Sequence, residues 1–312
     1  VGDLDTLKPM LKLVECVPNF SEGRRPEVVA RIREAIAAVD TACILDTHID
    51  VDHNRSVITF VATPDHVVEA AFRAVAQAAE LIDMRIHKGE HPRLGGTDVL
   101  PFVPIQGVTL EDCVTLAHLA GKRIAQELAI PVYFYERAAR RPDRVNLEDV
   151  RRGALELLRE QITINPDRAP DEGLSRTHET AGAIAVGARP FLIAFNIVLL
   201  SNDIAVARQI ARAVRARNGG LPFLKALGFQ LQTRSRVQVS MNLVNYEVTG
   251  LALVYNAVHH EAVRLGIEIE SAEIVGLLPR NALDREAEYF AKLENFSDDK
   301  ILEHQIERCS GI

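Results

Sequence analysis

Apolar positions along this chain alternate between two periods, that of strands and that of helices. Leu11–Val17 reads as a strand, Pro26–Val39 as a helix, and Ala42–His48 and Arg55–Ala62 as two further strands. A long helix pattern, Pro64–Ile82, and a strand, Val99–Val103, follow. An extra helix, Leu110–Leu128, and an extra strand, Pro131–Tyr135, come next. The same order then recurs: strand Phe191–Leu199, helix Asp203–Arg217, strands Leu224–Leu231 and Val237–Leu243, helix Thr249–Leu265 and strand Ile267–Val275. Both stretches spell β-α-β-β-α-β, the split pattern of ferredoxin-like domains. The expected fold is α+β, with two such subdomains in tandem and an extra αβ unit on the N-terminal one.

The second helices of the two stretches share one spacing. Val68, Ala71, Phe72, Val75, Ala79 and Ile82 match Leu251, Val254, Tyr255, Val258, Ala262 and Leu265, and each set forms one apolar stripe. Any two amphipathic helices share such a spacing, so the matching order of elements is the stronger argument for a duplicated architecture. Thr63-Pro64-Asp65 and Ser201-Asn202-Asp203 read as helix starts, the first with proline at the first helical position. Thr163–Thr180 is rich in Pro, Asp, Arg, Gly and Thr, lacks an apolar period, and reads as the interdomain connection. The subdomains are therefore expected at 1–180 and 181–312, the second ending in an acidic tail of helical pattern from Leu283.

Composition narrows the class. Of 312 residues, 47% are hydrophobic and 25% charged, which is ordinary for a water-soluble protein. The net charge of −7 argues against nonspecific nucleic-acid binding. Val1–Leu11 holds no apolar run long enough for a signal peptide, and Phe191–Leu200 is about half the length of a membrane span, so a cytoplasmic protein is expected. The four cysteines are widely spaced with no C-x-x-C pair, which argues against a disulfide framework or a structural zinc site, and three of them sit in apolar contexts as expected of core thiols.

Phosphate-loop, dinucleotide and nucleophile-elbow signatures are absent. What remains is a set of polar clusters beside strands. The densest is Asp83–Thr97, D-M-R-I-H-K-G-E-H-P-R-L-G-G-T. There His91 precedes Pro92, which holds its backbone extended, and an imidazole exchanges protons near neutral pH. Glu90 and Asp83 are candidate orienting carboxylates, and Arg85, Lys88 and Arg93 are candidate anion holders. His87, just past a helix end, is the weaker candidate. Cys16–Gly23 offers Asn19 and Ser21, either as ligand contacts or as turn and cap. In Asp46–Arg55, the residues Asp46, His48, Asp50 and Asp52 share parity, so an extended chain sets them on one side. That suits a substrate, a divalent metal or a solvated hairpin. Arg189, after the small-residue run from Thr180, is a candidate carboxylate clamp.

These stretches together resemble the glutamate formimidoyltransferase family, which includes the formiminotransferase domain of the bifunctional formiminotransferase-cyclodeaminase. The matching segments include L-V-E-C-V-P-N-F-S-E-G (Leu13–Gly23), N-R-S-V-I-T-F-V (Asn54–Val61), H-K-G-E-H-P-R-L-G (His87–Gly95), A-P-D-E-G (Ala169–Gly173) and G-A-R-P-F-L-I-A-F-N (Gly187–Asn196). They run over nearly the whole chain, and no cyclodeaminase portion is present. The resemblance implies transfer of a formimidoyl group from N-formimidoyl-L-glutamate to N5 of tetrahydrofolate, with tetrahydrofolate as co-substrate, no metal, no nucleic acid or membrane partner, and a homodimer. It makes His91 the catalytic histidine. It assigns folate contacts to the segment holding Gly173, Ser175, His178, Thr180, Ala181 and Gly182. Asn19, Asp46, His48, Arg55, Arg93 and Arg189 are the candidate substrate contacts. The chain departs from the commoner pattern at Glu172, Leu174 and Glu179, which bears on folate affinity more than on transfer chemistry. A non-catalytic folate-binding paralogue, a formyl-transferring member and a metal-dependent hydrolase using Asp46–His53 are the rival readings.

Overall fold

The computed structural model describes residues 11–89 and 92–309. The chain divides between Arg189 and Pro190 into two compact units, each with its own sheet. In the first, β1 (Leu13–Cys16) and β2 (Asn19–Phe20) form one strand path interrupted at Val17-Pro18, where proline has no N–H for the ladder. That path lies between β4 (Arg55–Ala62) and β5 (Thr97–Gln106), and β3 (Cys43–Asp50) pairs with β4. All of these pairings are antiparallel. Past β5 the sheet turns parallel: β7 (Ile184–Ala188) pairs with β5, and β6 (Val132–Glu136) with β7. The sequence pattern predicts β6 and α3 (Leu110–Leu128), but not β7, whose I-A-V-G-A is too short and small to show a period. Because β7 fills the slot between β5 and β6, the chain divides after it rather than at 180.

Alternation along the strands sorts side chains between two faces. Val14, Cys16, Ile58, Phe60, Leu100, Phe102, Val132, Phe134, Ile184 and Val186 join one core with α1 (Pro26–Ala37), α2 (Pro64–Leu81) and α3. Those helices pack side by side, α2 between the other two. Its buried positions are Val67, Ala70, Ala71, Ala74, Val75 and Ala78, while Val68, Phe72 and Ala79 are only partly buried. The stripe is thus wider than, and rotated from, the predicted one, because α2 has a neighbour on each side and its alanines let both come close. Thr63 stands at the N-cap position, yet its hydroxyl bonds Thr41 (3.0 Å) and His66 (3.0 Å) instead of capping. On the opposite face, Val99, Tyr133, Tyr135 and Ala185 pack with Val150 of α4 (Leu147–Val150) and Leu158 of α5 (Ala154–Gln161).

The second unit holds β8 (Ile193–Leu199), α6 (Ile204–Val214), β9 (Leu224–Leu231), β10 (Arg236–Leu243), α7 (Leu251–Arg264) and β11 (Ile269–Val275). Its sheet runs β11-β8-β10-β9, all antiparallel. Read as first to fourth strand of each motif, this is the order β5-β1/β2-β4-β3 of the first unit, so the duplicated architecture holds at the level of topology. Helix α6 starts at the predicted Ser201-Asn202-Asp203 signal, with Asp203 as the cap, accepting from the Ala205 N–H at 2.8 Å. Leu251, Val254, Tyr255, Val258 and Ala262 are all buried, as their stripe requires. The tail after Leu283 is short helical turns and α8 (Leu302–Arg308) rather than one helix, and Tyr289 is fully buried in the second core. Cys16 and Cys113 are buried free thiols, whereas Cys43 and Cys309 are each disulfide-bonded and depart from the thiol expectation.

Phe134 ties the first core together. It is fully buried, meets His118 edge-on at 4.6 Å between centroids, and leaves no room for a side chain at Gly121, where a Cβ would lie 2.5 Å from its ring. Phe134→Ala should cost about 3–5 kcal/mol of folding stability, measured by urea unfolding. A loss near zero would show that α3 collapses onto the gap.

Candidate functional site

Where helices do not cover the second face of the first sheet, its strands carry polar residues. β4 aims Arg55, Val57 and Thr59 there, opposite Asp50, His48 and Asp46 of β3, and Asn19 of β2 lies opposite Val57. The shared parity of Asp46, His48 and Asp50 therefore becomes a row on one face, while Asp52 lies in the turn that follows. Arg55 is the centre of the row. Its guanidinium donates to the Asn19 Oδ1 (3.1 Å from Nε) and stands 3.7 Å from Asp98. Asp98 is nearly fully buried, receives Arg151, and accepts from the Leu94 N–H at 2.9 Å. Burial, followed by the nearby Arg151, pushes Arg55 down to about 10, which leaves it cationic at neutral pH.

Asp50 turns toward its own hairpin. The His53 N–H and ring Nδ1 reach its two carboxylate oxygens at 2.8 and 2.7 Å. Partial burial raises the Asp50 carboxyl, but the hydrogen bonds and charge of His53 outweigh it and hold the group below its usual range. Among the described residues, no group of three or more His, Cys, Asp or Glu stands close enough to hold a metal ion.

Glu90 and His91 lie outside the described residues; their neighbours on both sides do not. His87 is half-buried, and burial pushes its imidazole below the usual range. Its Nδ1 accepts from Arg93 Nε (3.3 Å), which assigns the ring proton to Nε2, facing the Asn54 carbonyl at 3.2 Å. With both nitrogens engaged, His87 is a brace. Arg93 grips Glu156 of α5 with two bonds, at 2.7 and 3.2 Å. It therefore already holds a carboxylate. Gly89 sits so close to the β3–β4 turn that a Cβ would come within 2.5 Å of the His53 carbonyl.

The segment 169–183, about eighty residues on, is stitched to this loop. The Met84 N–H donates to the Thr180 carbonyl (2.7 Å), Gly96 N–H to Ala181 (2.9 Å), and Ala183 N–H to Leu94 (2.9 Å). His178 and Gly182 exchange backbone bonds at 2.8 and 3.1 Å, and the Ala181 N–H donates to His178 Nδ1 at 3.0 Å. Gly173 and Gly182 both have positive φ, +92° and +78°. Upstream, Asp171 and Arg144 form a buried pair at 2.7 Å, and Asp171 also takes the Phe134 N–H at 2.8 Å. Between these anchors, Gly173, Leu174, Ser175 and Arg176 are exposed. Two of the departures from the commoner pattern have partners here: Glu172 pairs with Arg140 and Glu179 with Arg85, both at 2.8 Å.

The sequence reading omits Glu15, Asp98, Arg151 and the Arg144–Asp171 pair. Only Glu15 leaves a signal, as one charge inside the apolar strand L-V-E-C-V. It is 1% exposed, its Oε2 has no hydrogen-bond partner among the described residues, and burial pushes its carboxyl up to about 7 against the pull of Arg189. Arg189, at the end of β7, is itself buried, and its backbone N–H donates to Phe102 at 3.1 Å. Because the folded-state value of Glu15 is raised, its stability contribution is complete below the ordinary carboxyl range and is lost as pH rises through about 7. Glu15→Gln should therefore reduce the loss of stability between about pH 5 and about pH 8 by up to ~3 kcal/mol. Urea titrations of both proteins at the two pH values check this; identical pH dependence would refute it.

Comparison with known proteins agrees with the division after Arg189. Residues 13–189 match the model of the formiminotransferase domain, N-terminal subdomain, and residues 194–309 that of the formiminotransferase domain. The chain is 47% identical over 303 residues to a glutamate formimidoyltransferase of Thermoplasma acidophilum, covering 97% of this chain and all of that one. It is 43% identical to the glutamate formimidoyltransferase of Streptococcus pyogenes serotype M1, covering 95% and 99%. To the formimidoyltransferase-cyclodeaminase of Rattus norvegicus it is 42% identical, covering 91% of this chain and 53% of the larger protein. With both subdomain models matched in order, the chain belongs to the formiminotransferase family.

Proposed function

We propose that this protein transfers the formimidoyl group of N-formimidoyl-L-glutamate to N5 of tetrahydrofolate, a step of histidine degradation and one-carbon metabolism. Family membership and the names of its full-length relatives support the activity. One structural observation carries the local reading. Both flanks of the loop that contains His91 are hydrogen-bonded to the segment 180–183, the end of the stretch that the resemblance assigns to folate. Residues 84, 94 and 96, on either side of that loop, are thus neighbours of the acceptor segment, although far apart from it in sequence.

In this reading N5 attacks the amidine carbon directly. The resulting tetrahedral centre must lose the N5 proton, and the departing glutamate nitrogen must gain one. His91 does both, first as base and then as acid. Gly173, Ser175, His178, Thr180, Ala181 and Gly182 contact the folate, which enters as co-substrate; no metal takes part. Arg55 and Arg189 hold carboxylates of the two ligands, and Asn19, Asp46 and His48 line the donor. Arg93 contributes by way of its Glu156 grip, and a substrate carboxylate would have to displace Glu156 to use it. The reading extends to a cytoplasmic homodimer.

The test is an assay of the purified protein with tetrahydrofolate, offered formimidoyl- or formyl-glutamate. Turnover is expected with the formimidoyl donor. His91→Ala should lower kcat by about 10²–10⁴-fold while tetrahydrofolate binding, followed by calorimetry, persists. Unchanged turnover in that variant would sink the proton-carrier role.

A further inference from the structure

Two separate segments of the first unit converge on the side chain of Asn54, in the β3–β4 turn, which no part of the proposed chemistry uses. Its Oδ1 accepts the Gly23 N–H at 2.9 Å, just after β2. Its Nδ2 donates to the Lys88 carbonyl at 2.9 Å, in the loop that contains His91. Its own carbonyl faces His87 Nε2 at 3.2 Å. The residue is 8% exposed and has a φ of +49° at the end of the β3–β4 turn. Both segments are in close contact with the turn itself. A Cβ on Gly23 would lie 2.1 Å from the Asp50 carbonyl, and one on Gly89 would lie 2.5 Å from that of His53.

A turn residue with positive φ needs no more than glycine provides. Asparagine tolerates the same backbone, but its carboxamide normally serves its own turn. Here the carboxamide is turned inward, and both ends are bound by backbone groups 31 and 34 residues away. Two hydrogen bonds of this kind are too few to hold the unit together and enough to select one position for a loop. The neighbouring residue is Arg55, which faces Asn19 and Asp98. Asn54 therefore couples the start of the polar row to the histidine loop through a single residue.

We propose that Asn54 is a positioning residue of the transfer reaction, setting where the loop backbone at 86–89 stands relative to the end of β2 and to Arg55. The proposal rests on the reading of His91 as proton carrier. Asn54 touches no reacting atom; it acts by keeping the loop backbone in one register with the row of Asn19 and Arg55. A displacement of about 1 Å at a proton carrier costs on the order of 10²-fold in rate, so loss of the tether is read in kcat before it is read in binding.

Two variants separate tether from turn. Asn54→Asp keeps the turn and the acceptor for Gly23 but faces the Lys88 carbonyl with oxygen instead of N–H. Asn54→Gly keeps the positive φ and removes both bonds. The full chain carrying each substitution is assayed for kcat and for KM of both substrates, with hydrogen exchange of the amides at 86–89, alongside His91→Ala. In both variants kcat should fall by about 10²-fold, KM should hold, and exchange at 86–89 should speed while β4 and α2 stay protected. Faster exchange with wild-type kcat would overturn the proposal, as would a loss of activity matched by loss of protection throughout the unit. If His91→Ala is inactive and both Asn54 variants keep wild-type kcat, this inference alone fails. If His91→Ala keeps turnover, the proton-carrier reading fails and the tether has no catalytic group to place.

Discussion

A strand can aim successive side chains only at opposite faces, and the first unit depends on that constraint. Three helices take one face, so alternate residues in the middle of β1, β4, β5, β6 and β7, such as Val14, Cys16, Ile58, Phe60, Leu100, Phe102, Val132, Phe134, Ile184 and Val186, are apolar and buried. The intervening positions are left free to differ. Where α4 and α5 cover them they are aromatic or small; nearer β3 they are Asn19, Arg55, Thr59, His48 and Asp46. The polar row is thus a by-product of the core: once Ile58 and Phe60 face the helices, Arg55 and Thr59 have one direction left.

Charge on this face is compensated unevenly. Asp98 receives two guanidinium groups and a backbone N–H. Asp171 and Arg144 are satisfied on nearly every side, with Arg144 also reaching the Asp167 and Ala169 carbonyls. A buried pair of this kind adds little net stability but is costly to break, so its effect is to keep one conformation of the chain between β6 and the 173–182 stretch. Glu15 is the exception, a buried carboxyl with an oxygen left unbonded. Local rules broken without structural compensation concentrate at functional sites, and Glu15 lies on the same strand path as Asn19.

Much of this architecture is legible in the residues. The two β-α-β-β-α-β patterns emerge because their strands are half-buried and their helices amphipathic, so local period reports the fold. β7 escapes because its neighbours on both sides are strands and its residues are alanine, glycine and two branched aliphatics; only the gap between β5 and β6 makes it a strand. The site is legible in part. Parity anticipates that Asp46, His48 and Asp50 share one face of β3, while Asp52 falls in the turn where parity no longer applies. The Glu156 grip on Arg93, the Arg151 contact with Asp98 and the convergence on Asn54 are products of tertiary distance, which no periodicity encodes.

The stretch from Gly173 to Arg176 is open at its middle and fastened at both ends. Asp171 anchors one end in the β6 ladder, and the His178–Gly182 exchange anchors the other. Neither anchor draws on the side chains between them. Folding and recognition are thereby separated along the chain, so the exposed residues are at liberty to diverge among relatives without a debt to stability. A loop built this way lets one scaffold explore new ligands by drift alone, because what varies there is already in solvent.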